Sequence, residues 1–560
     1  MARVRTAIPG VVYLPDADWA KYAAAGALTD ETLIGAYQAA FALHRDRIAL
    51  SSPTELTTYG ELDSLTDRGA AALWRLGLRP LDRAIFQMRN CKGLVVAFLS
   101  CLKLGVIPVC TLAAHREQEV GYLGNHAEAK AHFVHGDDER FDMVAFALRM
   151  QREVPSVQHI VTVMERPGQT EGVALSTLIA AEDPAAARAL VESIVHEPQQ
   201  VAVFQLSGGT SGVPKIIPRF QSEYLCAMRS VRDFMGLSSD TVTFTPNPLM
   251  HNAPMGCFWG PTLLVGGEMA IADGPSLAHI EATLAARRPT WIAMAKVHLL
   301  RFLESGGAQR LSFDNVMAFA VPDSAKALGA MLGARAVPMY GMTEGLLAHG
   351  APDDPDETIE FTVGRSTCPH DEIRIVRPGT EEDLQVGEVG ELLVRGPSTI
   401  RGYFNAPERD AEAFTADGFY RSGDLMSFRM VAGVRNLVFH GRVKDVIDRG
   451  GEKINCSEVE TAIGQFPSVG SVACVAMPDP LYGERMCAFI ALREGEAPLG
   501  LDTLRSHLAG LGLAKFKWPE RVELVNELPM TTSGKVSKPL MREIIAAKLK
   551  TEAAAPPRAD

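Results

Sequence analysis

The sequence lacks the features that mark several common functional classes. Cysteine is scarce, with nine in 560 residues and no C-x-x-C pair, so neither a disulfide framework nor a zinc site is expected. No run of 18 apolar residues occurs, so no membrane-spanning helix is expected. Basic residues are outnumbered, 55 against 67 acidic ones, and the net charge of −12 argues against nucleic-acid or anionic-membrane partners. The first ten residues have two arginines but no apolar segment behind them, which predicts a cytoplasmic protein without a signal peptide.

What is present is an ordinary globular composition, 47% apolar and 22% charged, long enough for two to four domains at roughly 150 residues each. Up to about residue 440, short apolar runs alternate with longer helical ones. The segment 83–88 predicts a strand, 93–105 a helix that ends at Gly105 in a left-handed cap, and 106–110 the next strand. This alternation is typical of parallel α/β layers.

The pattern changes along the rest of the chain. Short, turn-rich runs at 388–440 predict a small antiparallel β region, and a compact α+β segment follows from about 445. The last residues, 551–560, read as a low-complexity tail. The predicted fold is therefore a large multi-layer α/β N-terminal domain with a small β region, plus a small mobile α+β C-terminal domain.

The strongest chemical signal is the glycine- and hydroxyl-rich stretch that ends at Lys215 and directly follows an apolar run. Glycines let backbone N–H groups approach phosphate oxygens, and the lysine adds positive charge. It is not a Walker A loop, because Pro214 precedes the lysine and Ile216 follows it. A flexible surface linker is the alternative. The candidate phosphate-binding residues are Ser207, Gly208, Gly209, Thr210, Ser211, Gly212 and Lys215.

Four further clusters are each weak when taken alone. The segment 340–345 places a glutamate in a turn, and 420–425 places Asp424 after a predicted glycine turn. The segment 441–453 carries seven charges and three glycines and reads equally well as a charged linker. The segment 528–536 presents Lys535 on a small-residue loop, where most lysines are only solvated.

Taken together in this order, the five clusters resemble the adenylate-forming superfamily of acyl-CoA synthetases, adenylation domains and luciferases. The resemblance runs from about Tyr59 to Lys538 and is strongest to the stand-alone aryl-acid branch typified by 2,3-dihydroxybenzoate-AMP ligases. The stretches that carry this narrower resemblance are 204–210, 217–219, His251-Asn252, 449–454 and 515–517.

The resemblance implies ATP and Mg²⁺ as cofactors and assigns roles to the clusters. Residues 207–215 would bind the ATP β- and γ-phosphates, Thr343 would contact the α-phosphate, and Glu344 would ligate Mg²⁺. Asp424 would hold the ribose hydroxyls with Arg442 nearby, and Lys535 would touch the acid carboxylate and the α-phosphate. The remaining nucleotide-binding candidates are Tyr340 and Gly341.

The resemblance also implies a hinge at Lys444, about which the C-terminal domain swings between adenylation and thioester formation. The predicted division is therefore 1–443 for binding ATP and the acid, 444–550 for the mobile domain, and 551–560 for the tail.

The acid pocket is predicted around His251, Asn252, Ala253, Cys257 and Met339. In the aryl-acid branch the Asn reads an ortho hydroxyl, a Tyr stands where this chain has Ala253, and dihydroxybenzoate members carry a Ser where it has Cys257. Met339 replaces a smaller aliphatic residue, and residues 320–322 stand about where many members of the superfamily have a Gly-Gly pair. These departures argue against 2,3-dihydroxybenzoate and favour a salicylate-like acid or a bulkier alicyclic one.

The predicted reaction joins a carboxylic acid to ATP as acyl-AMP with release of pyrophosphate, and then forms a thioester. Coenzyme A is the favoured acceptor, and the phosphopantetheine arm of a carrier protein is the alternative. Two other hypotheses remain: a catalytically silent adenylate-binding protein, which the presence of Lys535, Glu344 and Asp424 disfavours, and a luciferase-like oxygenase.

Overall fold

In the part of the chain that is described, the protein consists of four β-sheets with helices packed on and between them. The computed structural model describes residues 5–138, 141–166, 168–207, 214–294, 301–302, 304–306, 315–318, 325, 328–330, 332–449, 452–531 and 535–554. Among these residues, no helix is both long enough and apolar enough to cross a bilayer.

The first sheet has the order β7-β6-β5-β3-β4-β8-β9 among the described strands, parallel except for the antiparallel pair β8–β9. Its strands are β3 (Arg83–Gln87), β4 (Ile107–Val109), β5 (Ala131–His135), β6 (His159–Val163), β7 (Val173–Ala174), β8 (Val201–Ser207) and β9 (Lys215–Phe220). The predicted strand–helix–strand unit at 83–110 is therefore confirmed.

The second sheet has the order β16-β15-β14-β13-β12-β10-β11-β1-β2, with a parallel centre and antiparallel edges among the described strands. Its strands are β1 (Ile48–Ser51), β2 (Leu56–Thr58), β10 (Val242–Phe244), β11 (Glu268–Ala270), β12 (Trp291–Met294), β13 (Asn315–Ala318), β14 (Arg335–Gly341), β15 (Leu347–His349) and β16 (Arg365–Ser366). Both large sheets contribute buried side chains to one continuous apolar core.

The helices follow local signals in the sequence. In the third helix the Thr58 side chain accepts from the Glu61 N–H and the Glu61 carboxylate accepts from the Thr58 N–H, and Gly77 ends it in the left-handed region at φ 110°. The fourth ends at Gly105 with φ 81°, as predicted. The helices are α1 (Asp16–Ala24), α2 (Leu33–Leu43), α3 (Tyr59–Leu76), α4 (Lys92–Leu104), α5 (Glu117–His126), α6 (Met143–Glu153), α7 (Leu175–Ala180), α8 (Pro184–Ser193), α9 (Gln221–Met235), α10 (Asn252–Pro254), α11 (Gly260–Leu264), α12 (Leu277–Arg287), α13 (Asp356–Phe361), α14 (Pro407–Ala413), α15 (Cys456–Gly464), α16 (Leu501–Gly510) and α17 (Lys538–Ala554).

The third sheet is the predicted small antiparallel region, and it begins earlier than expected, at Glu372. Its described strands are β17 (Glu372–Val376), β18 (Gly390–Arg395), β19 (Tyr420–Val431) and β20 (Val434–Arg442). Ile217 of β9 in the first sheet and Leu346, just before β15 of the second, pack into its apolar core. This contact brings the ends of all three sheets to one place.

The fourth sheet belongs to the small C-terminal domain and has apolar cores on both faces. Helices α15 and α16 contribute to one core and α17 to the other. Its described strands are β21 (Val446–Arg449), β22 (Glu452–Asn455), β23 (Val469–Asp479), β24 (Gly483–Leu492) and β25 (Arg521–Leu524). The described residues of the charged segment 441–453 form the end of β20, a 3₁₀ turn, β21 and the start of β22, so only the turn connects the third sheet to the fourth.

Candidate active site

The glycine-rich stretch is anchored at both ends to one pair of strands. Ser207 ends β8, Lys215 begins β9, and the two residues are partners in the antiparallel ladder. The stretch therefore leaves and re-enters the first sheet at the same edge. The residues between them that were predicted to bind phosphate lie outside the described residues, and their role stays a prediction: Gly208, Gly209, Thr210, Ser211 and Gly212.

Lys215 is half-buried beside an aromatic ring and a carboxylate. Its Nζ lies 4.4 Å from the centroid of the Tyr403 ring, a cation–π distance. Burial lowers the pKa of Lys215, the negative charge of Glu344 raises it, and the positive charges of Arg409 and Lys444 lower it again. The ammonium group therefore sits where several cations converge, which suits a polyphosphate ligand.

Glu344 lies in the turn between β14 and β15 and is only 8% exposed, so it is not a solvated turn carboxylate. The Tyr403 hydroxyl donates a hydrogen bond to its Oε1 at 2.9 Å, and the hydroxyls of Tyr403 and Tyr420 are 3.0 Å apart. Its negative charge raises the pKa of Lys215, Arg219 and Lys535. One carboxylate is thus within electrostatic reach of three cations.

A buried arginine fixes the main chain next to Glu344. Arg219 is ion-paired with Glu223, and its Nη1 donates to the carbonyl oxygen of Thr343 at 2.6 Å. On the other side, the Ile400 N–H donates to the carbonyl oxygen of Glu344 at 2.9 Å. These two contacts hold the Thr343–Glu344 peptide from both directions, and so pre-position both side chains.

Asp424 is held by two neighbours in a buried place. The Tyr340 hydroxyl donates to Oδ2 at 2.6 Å, and Arg442 Nε lies 3.3 Å from Oδ1, directly opposite in the β19–β20 ladder. Burial raises the pKa of Asp424, and the Arg442 charge and the Tyr340 hydrogen bond lower it. The predicted glycine turn before Asp424 is present as an irregularity within β19: Gly423 has φ 70°, the Asp424 N–H donates to Ser422 Oγ at 3.0 Å, and the register with β18 shifts there.

Lys535 comes from the C-terminal domain into the same region. Its backbone N–H donates to Thr531 Oγ1 at 3.1 Å, which fixes the loop. The side chain keeps exposed surface, but the protein around it partly desolvates the ammonium group and lowers its pKa. The charge of Arg442 lowers the pKa further, and the charges of Asp424 and Glu344 raise it. The two carboxylates that were predicted to serve ATP therefore both face the predicted catalytic lysine.

Lys444 occupies the connection between the third and fourth sheets. It is exposed within the 3₁₀ turn Val443–Asp445, which joins β20 to β21. Arg542 of α17 donates to the Lys444 carbonyl oxygen at 3.0 Å. A short turn between two sheets with separate cores is the place where rotation needs the fewest broken contacts.

The predicted acid pocket begins with His251 and Asn252, the latter at the start of α10. Asn252 Oδ1 accepts a hydrogen bond from the Tyr224 hydroxyl at 2.9 Å, which orients the Asn252 amide. Burial lowers the pKa of His251 to about 4, with the charges of Lys535 and His115 acting in the same direction. His251 is therefore neutral at pH 7 and lies within electrostatic reach of Lys535.

The rest of the pocket segment is a π-helical turn, Met255–Trp259, that continues α10. Cys257 is fully buried in it, and burial raises the pKa of the thiol to about 12, so it is a neutral, weakly polar group. Ala253 is partly exposed, and Met339 of β14 is partly buried against the main core. Trp259 donates to the Leu249 carbonyl oxygen at 3.0 Å, and its ring packs edge-on against Phe98. Residues 320–322 lie outside the described residues.

Three site residues were not found by sequence reasoning: Tyr224, Tyr403 and the positioning role of Arg219. The hydroxyl groups of Tyr224 and Tyr403 each donate a hydrogen bond to a residue at least 28 positions away in the chain, and no local sequence pattern identifies such a partner. Arg219 and Glu223 did offer a signal, since opposite charges four residues apart in an apolar stretch suggest a buried ion pair.

The comparisons with known proteins agree with this geometry. The profile of the AMP-binding enzyme family matches residues 37–404, and that of the AMP-binding enzyme C-terminal domain matches residues 458–535. The chain is 36% identical to the salicylyl-CoA synthase / salicylate adenylyltransferase of a Streptomyces species, over 90% of this chain and 92% of that protein. It is 35% identical to the 2-hydroxy-7-methoxy-5-methyl-1-naphthoate--CoA ligase of Streptomyces carzinostaticus, over 95% and 96%.

Two further matches extend the comparison to AMP ligases and to a solved structure. The chain is 34% identical to the 2,3-dihydroxybenzoate-AMP ligase of Bacillus subtilis, over 91% of this chain and 92% of that protein. The apo structure of Mycobacterium smegmatis MbtA superposes with a TM-score of 0.72 at 31% identity, covering 95% of this chain and 98% of that one. The predicted resemblance, fold class and reaction class are confirmed. The chain belongs to the AMP-binding enzyme family and is an adenylate-forming carboxylic acid ligase.

Proposed function

We propose that this enzyme activates an ortho-hydroxylated aryl acid larger than a single benzene ring, and then transfers the acyl group to coenzyme A. The observation that carries the proposal is the convergence at Lys535. Its charge acts on Asp424 at the predicted nucleotide site and on His251 at the predicted acid pocket, and Glu344 acts on it in turn. A lysine between the two predicted binding regions is the group that an acyl-AMP-forming reaction needs.

In the proposed ATP site, the β- and γ-phosphates lie against the glycine-rich stretch and Lys215, and the α-phosphate lies against Thr343. The Asp424 carboxylate accepts from both ribose hydroxyls, with Arg442 and Tyr340 fixing its orientation. The cations around Glu344 offset the polyphosphate charge. Burial of these groups strengthens each electrostatic interaction, because less water screens it.

The donor set also fits a magnesium ion. Mg²⁺ in nucleotide sites is held by one or two carboxylates together with substrate phosphates. Glu344 supplies one such carboxylate, with Oε1 oriented by the Tyr403 hydroxyl. When bound, the ion neutralises phosphate charge.

The adenylation step itself joins two anions, the acid carboxylate and the α-phosphate, and so is electrostatically unfavourable in water. Lys535 places a positive charge between them and offsets the negative charge that develops on the α-phosphate. The carboxylate oxygen bonds to the α-phosphorus, and pyrophosphate leaves. His251, neutral at pH 7, lies beside this lysine without competing for its charge.

The proposed acid class follows from Asn252 and Ala253. Because Asn252 Oδ1 already accepts from Tyr224, its Nδ2 is the atom that can donate to an ortho hydroxyl or phenolate on the acid. Ala253 is much smaller than the tyrosine of the aryl-acid branch, and interiors do not keep the resulting space without an occupant, so we infer that a bulky acid fills it. The three curated relatives act, by their names, on salicylate, a substituted hydroxynaphthoate and dihydroxybenzoate, all of which carry the ortho hydroxyl.

The second half-reaction requires the proposed division of the chain at Lys444, with residues 1–443 held still and 444–550 rotating. Rotation withdraws Lys535 and presents another face of the C-terminal domain for the thiol, which attacks the acyl carbonyl and releases AMP. The exposed turn at Lys444 supports this assignment. We also propose that the enzyme works in the cytoplasm.

The sequence motifs do not distinguish the two possible thiol acceptors of the acyl group, because coenzyme A and a carrier protein present the same phosphopantetheine arm. Two of the relatives are named as coenzyme A enzymes, which favours coenzyme A. The alternative is supported by the relative that is named as an AMP ligase, with no mention of coenzyme A.

The test is a pyrophosphate-exchange screen over salicylate, hydroxynaphthoates, dihydroxybenzoate, cyclohexane carboxylate and a fatty acid. Exchange should be fastest with an ortho-hydroxylated acid of two fused rings. Adding coenzyme A to the best acid should then yield its thioester. Fastest exchange with a fatty acid would reject the acid class, and acyl-AMP that accumulates in the presence of coenzyme A would favour a carrier protein.

A further inference from the structure

His349 is a buried histidine whose ring nitrogens have no hydrogen-bond partner. It ends β15, is fully buried, and neither Nδ1 nor Nε2 is paired in the described part of the chain. Another buried histidine, His132 of β5, shows the usual arrangement, with Nε2 3.0 Å from Gln87 Oε1. Buried polar groups are nearly always paired, so an unpaired ring calls for a ligand or a function.

The strand register places His349 beside the proposed acid pocket. It is the ladder partner of Met339. The Gly350 N–H donates to the Pro338 carbonyl oxygen at 3.0 Å, which makes Met339 and His349 a non-hydrogen-bonded pair, the kind whose side chains lie closest. Met339 is one of the proposed pocket residues, so the imidazole is its neighbour on the same face of the sheet.

The position of Leu347 shows that this face of β15 points toward the π-helical turn Met255–Trp259 of the pocket. Leu347 lies two residues before His349, and therefore points to the same side of β15. A Cβ added at Gly256, in the π-helical turn of the pocket, would lie 3.9 Å from Leu347 Cδ1. Because Leu347 pairs with Gly341 and His349 pairs with Met339, the imidazole lies further than Leu347 from the turn that carries Glu344.

The ionisation state defines what this ring can recognise. Burial lowers the pKa of His349 to about 3, so it is neutral at pH 7. A neutral imidazole has one N–H donor and one acceptor nitrogen. Such a pair suits a hydroxyl or amino group on a ligand.

We propose that His349 is a specificity-determining residue that hydrogen-bonds a hydroxyl or amino substituent on the substrate acid. The substituent lies on the side of the acid's aromatic ring that is away from its carboxylate. The inference rests on the proposed function, because it requires the acid to lie against Met339. An acid without the substituent leaves the imidazole nitrogens of His349 unpaired and cannot form that hydrogen bond. An acid that carries it gains the bond without displacing an existing partner.

The experiment measures kcat/KM in pyrophosphate exchange for matched acids. Salicylate and 2-hydroxy-1-naphthoate would each be compared with derivatives carrying one added hydroxyl or amino group. The wild-type enzyme should prefer at least one derivative over its parent by about ten-fold or more, the value of one buried hydrogen bond. His349→Leu should reduce that ratio to about one, mainly through KM, and His349→Gln should restore part of it.

Two controls separate recognition from a structural role. His132→Leu removes a buried and paired histidine in the other large sheet, and should leave the ratio between the acids unchanged. His349→Leu should keep or raise the thermal unfolding temperature, because it removes an unpaired polar group. A lower unfolding temperature with an unchanged ratio would overturn the proposal, as would a wild-type enzyme with no preference for any derivative. If no aryl acid supports exchange in the wild-type enzyme, the proposed function itself fails.

Discussion

Arg219 and Thr343 are 124 residues apart in the chain, and the guanidinium of the first donates a 2.6 Å hydrogen bond to the carbonyl oxygen of the second. Arg219 belongs to β9, the strand that begins with Lys215, and Thr343 belongs to the turn after β14. A single buried side chain thus ties the lysine strand of one large sheet to the Glu344 turn of the other.

Arg219→Lys should weaken ATP use without removing the charge beside Glu223. Lysine lacks the planar fork that reaches the carboxylate and the Thr343 carbonyl together, so the Glu344 turn loses its support. We expect the KM for ATP in pyrophosphate exchange to rise about ten-fold, the equivalent of one buried hydrogen bond. Arg229→Lys, in α9 and in a partly exposed pair with Glu31, is the matched control and should behave like wild type. An unchanged KM in the Arg219 variant would contradict the positioning role.

Lys535→Ala should remove most acyl-AMP formation and leave the fold intact, because the lysine keeps exposed surface on a loop. Thioester formation from pre-made acyl-AMP should be nearly unaffected, since the proposed rotation has by then withdrawn the lysine. The two half-reactions would be measured separately, by pyrophosphate exchange and by thioester release. Lys550→Ala, an exposed lysine of α17, serves as the control. Equal losses in both half-reactions would reject the role of Lys535.

Lys444→Pro should have the opposite effect on the two half-reactions. Proline fixes φ near −65° and restricts the residue before it, so the turn Val443–Asp445 loses the freedom that rotation needs. Adenylation should continue while thioester formation slows. Lys444→Ala removes the charge without the restraint, and should affect thioester formation much less. If the proline variant forms thioester at the wild-type rate, the hinge lies elsewhere.

Asp424 predicts a pH dependence of ATP binding. Its pKa is raised by burial, so on lowering the pH the carboxylate takes up a proton earlier than an ordinary aspartate does. The protonated form is a weaker acceptor for two ribose hydroxyls, and the KM for ATP should therefore rise at a higher pH, on acidification, than an ordinary aspartate would produce. Asp424→Asn should raise the KM at neutral pH and flatten this dependence relative to wild type. Asp417→Asn, an exposed aspartate just before β19, should leave the profile unchanged.

Ala253→Tyr tests the open wall of the pocket. If a bulky acid fills the space, the added ring should overpack it at roughly 1–3 kcal/mol, or about a ten- to hundred-fold loss in kcat/KM for that acid. Activity on salicylate should improve, because the smaller ring gains a wall. Ala253→Ser changes the volume little and should keep the ranking of the acids. An unchanged ranking in the tyrosine variant would mean that residue 253 does not line the pocket.

The parts of this molecule that sequence predicts well are those set by neighbouring residues. The strand–helix–strand unit at 83–110 and the cap at Gly105 follow from periodicity and one glycine. Ser-Gly-Asp marks the local turn at Gly423, but its place inside a long strand was not predicted, because that strand is set by pairing with β18 and β20. The charged segment after Gly441 was ambiguous for the same reason, since its strands are stabilised by pairing rather than by composition.

In the candidate active site, too, local sequence features were predicted and contacts between distant residues were not. The clusters around Glu344, Asp424 and Lys535 are recognisable from their order in the chain, but their mutual distances are not. The supporting contacts of Tyr403 and Arg219 join residues 59 and 124 positions apart. Such pairs depend on how the three sheets meet, which periodicity and turn signals do not specify.

The C-terminal domain has its own apolar cores on both faces of its sheet, and Lys535 meets the rest of the protein among charged groups. The proposed rotation would leave both of these cores intact, so the change between the domain's orientations should carry a small heat-capacity change. Its balance is then set mainly by Coulombic forces, which dissolved salt screens. Ionic strength, more than temperature, should therefore set the relative populations of the adenylate-forming and thioester-forming orientations.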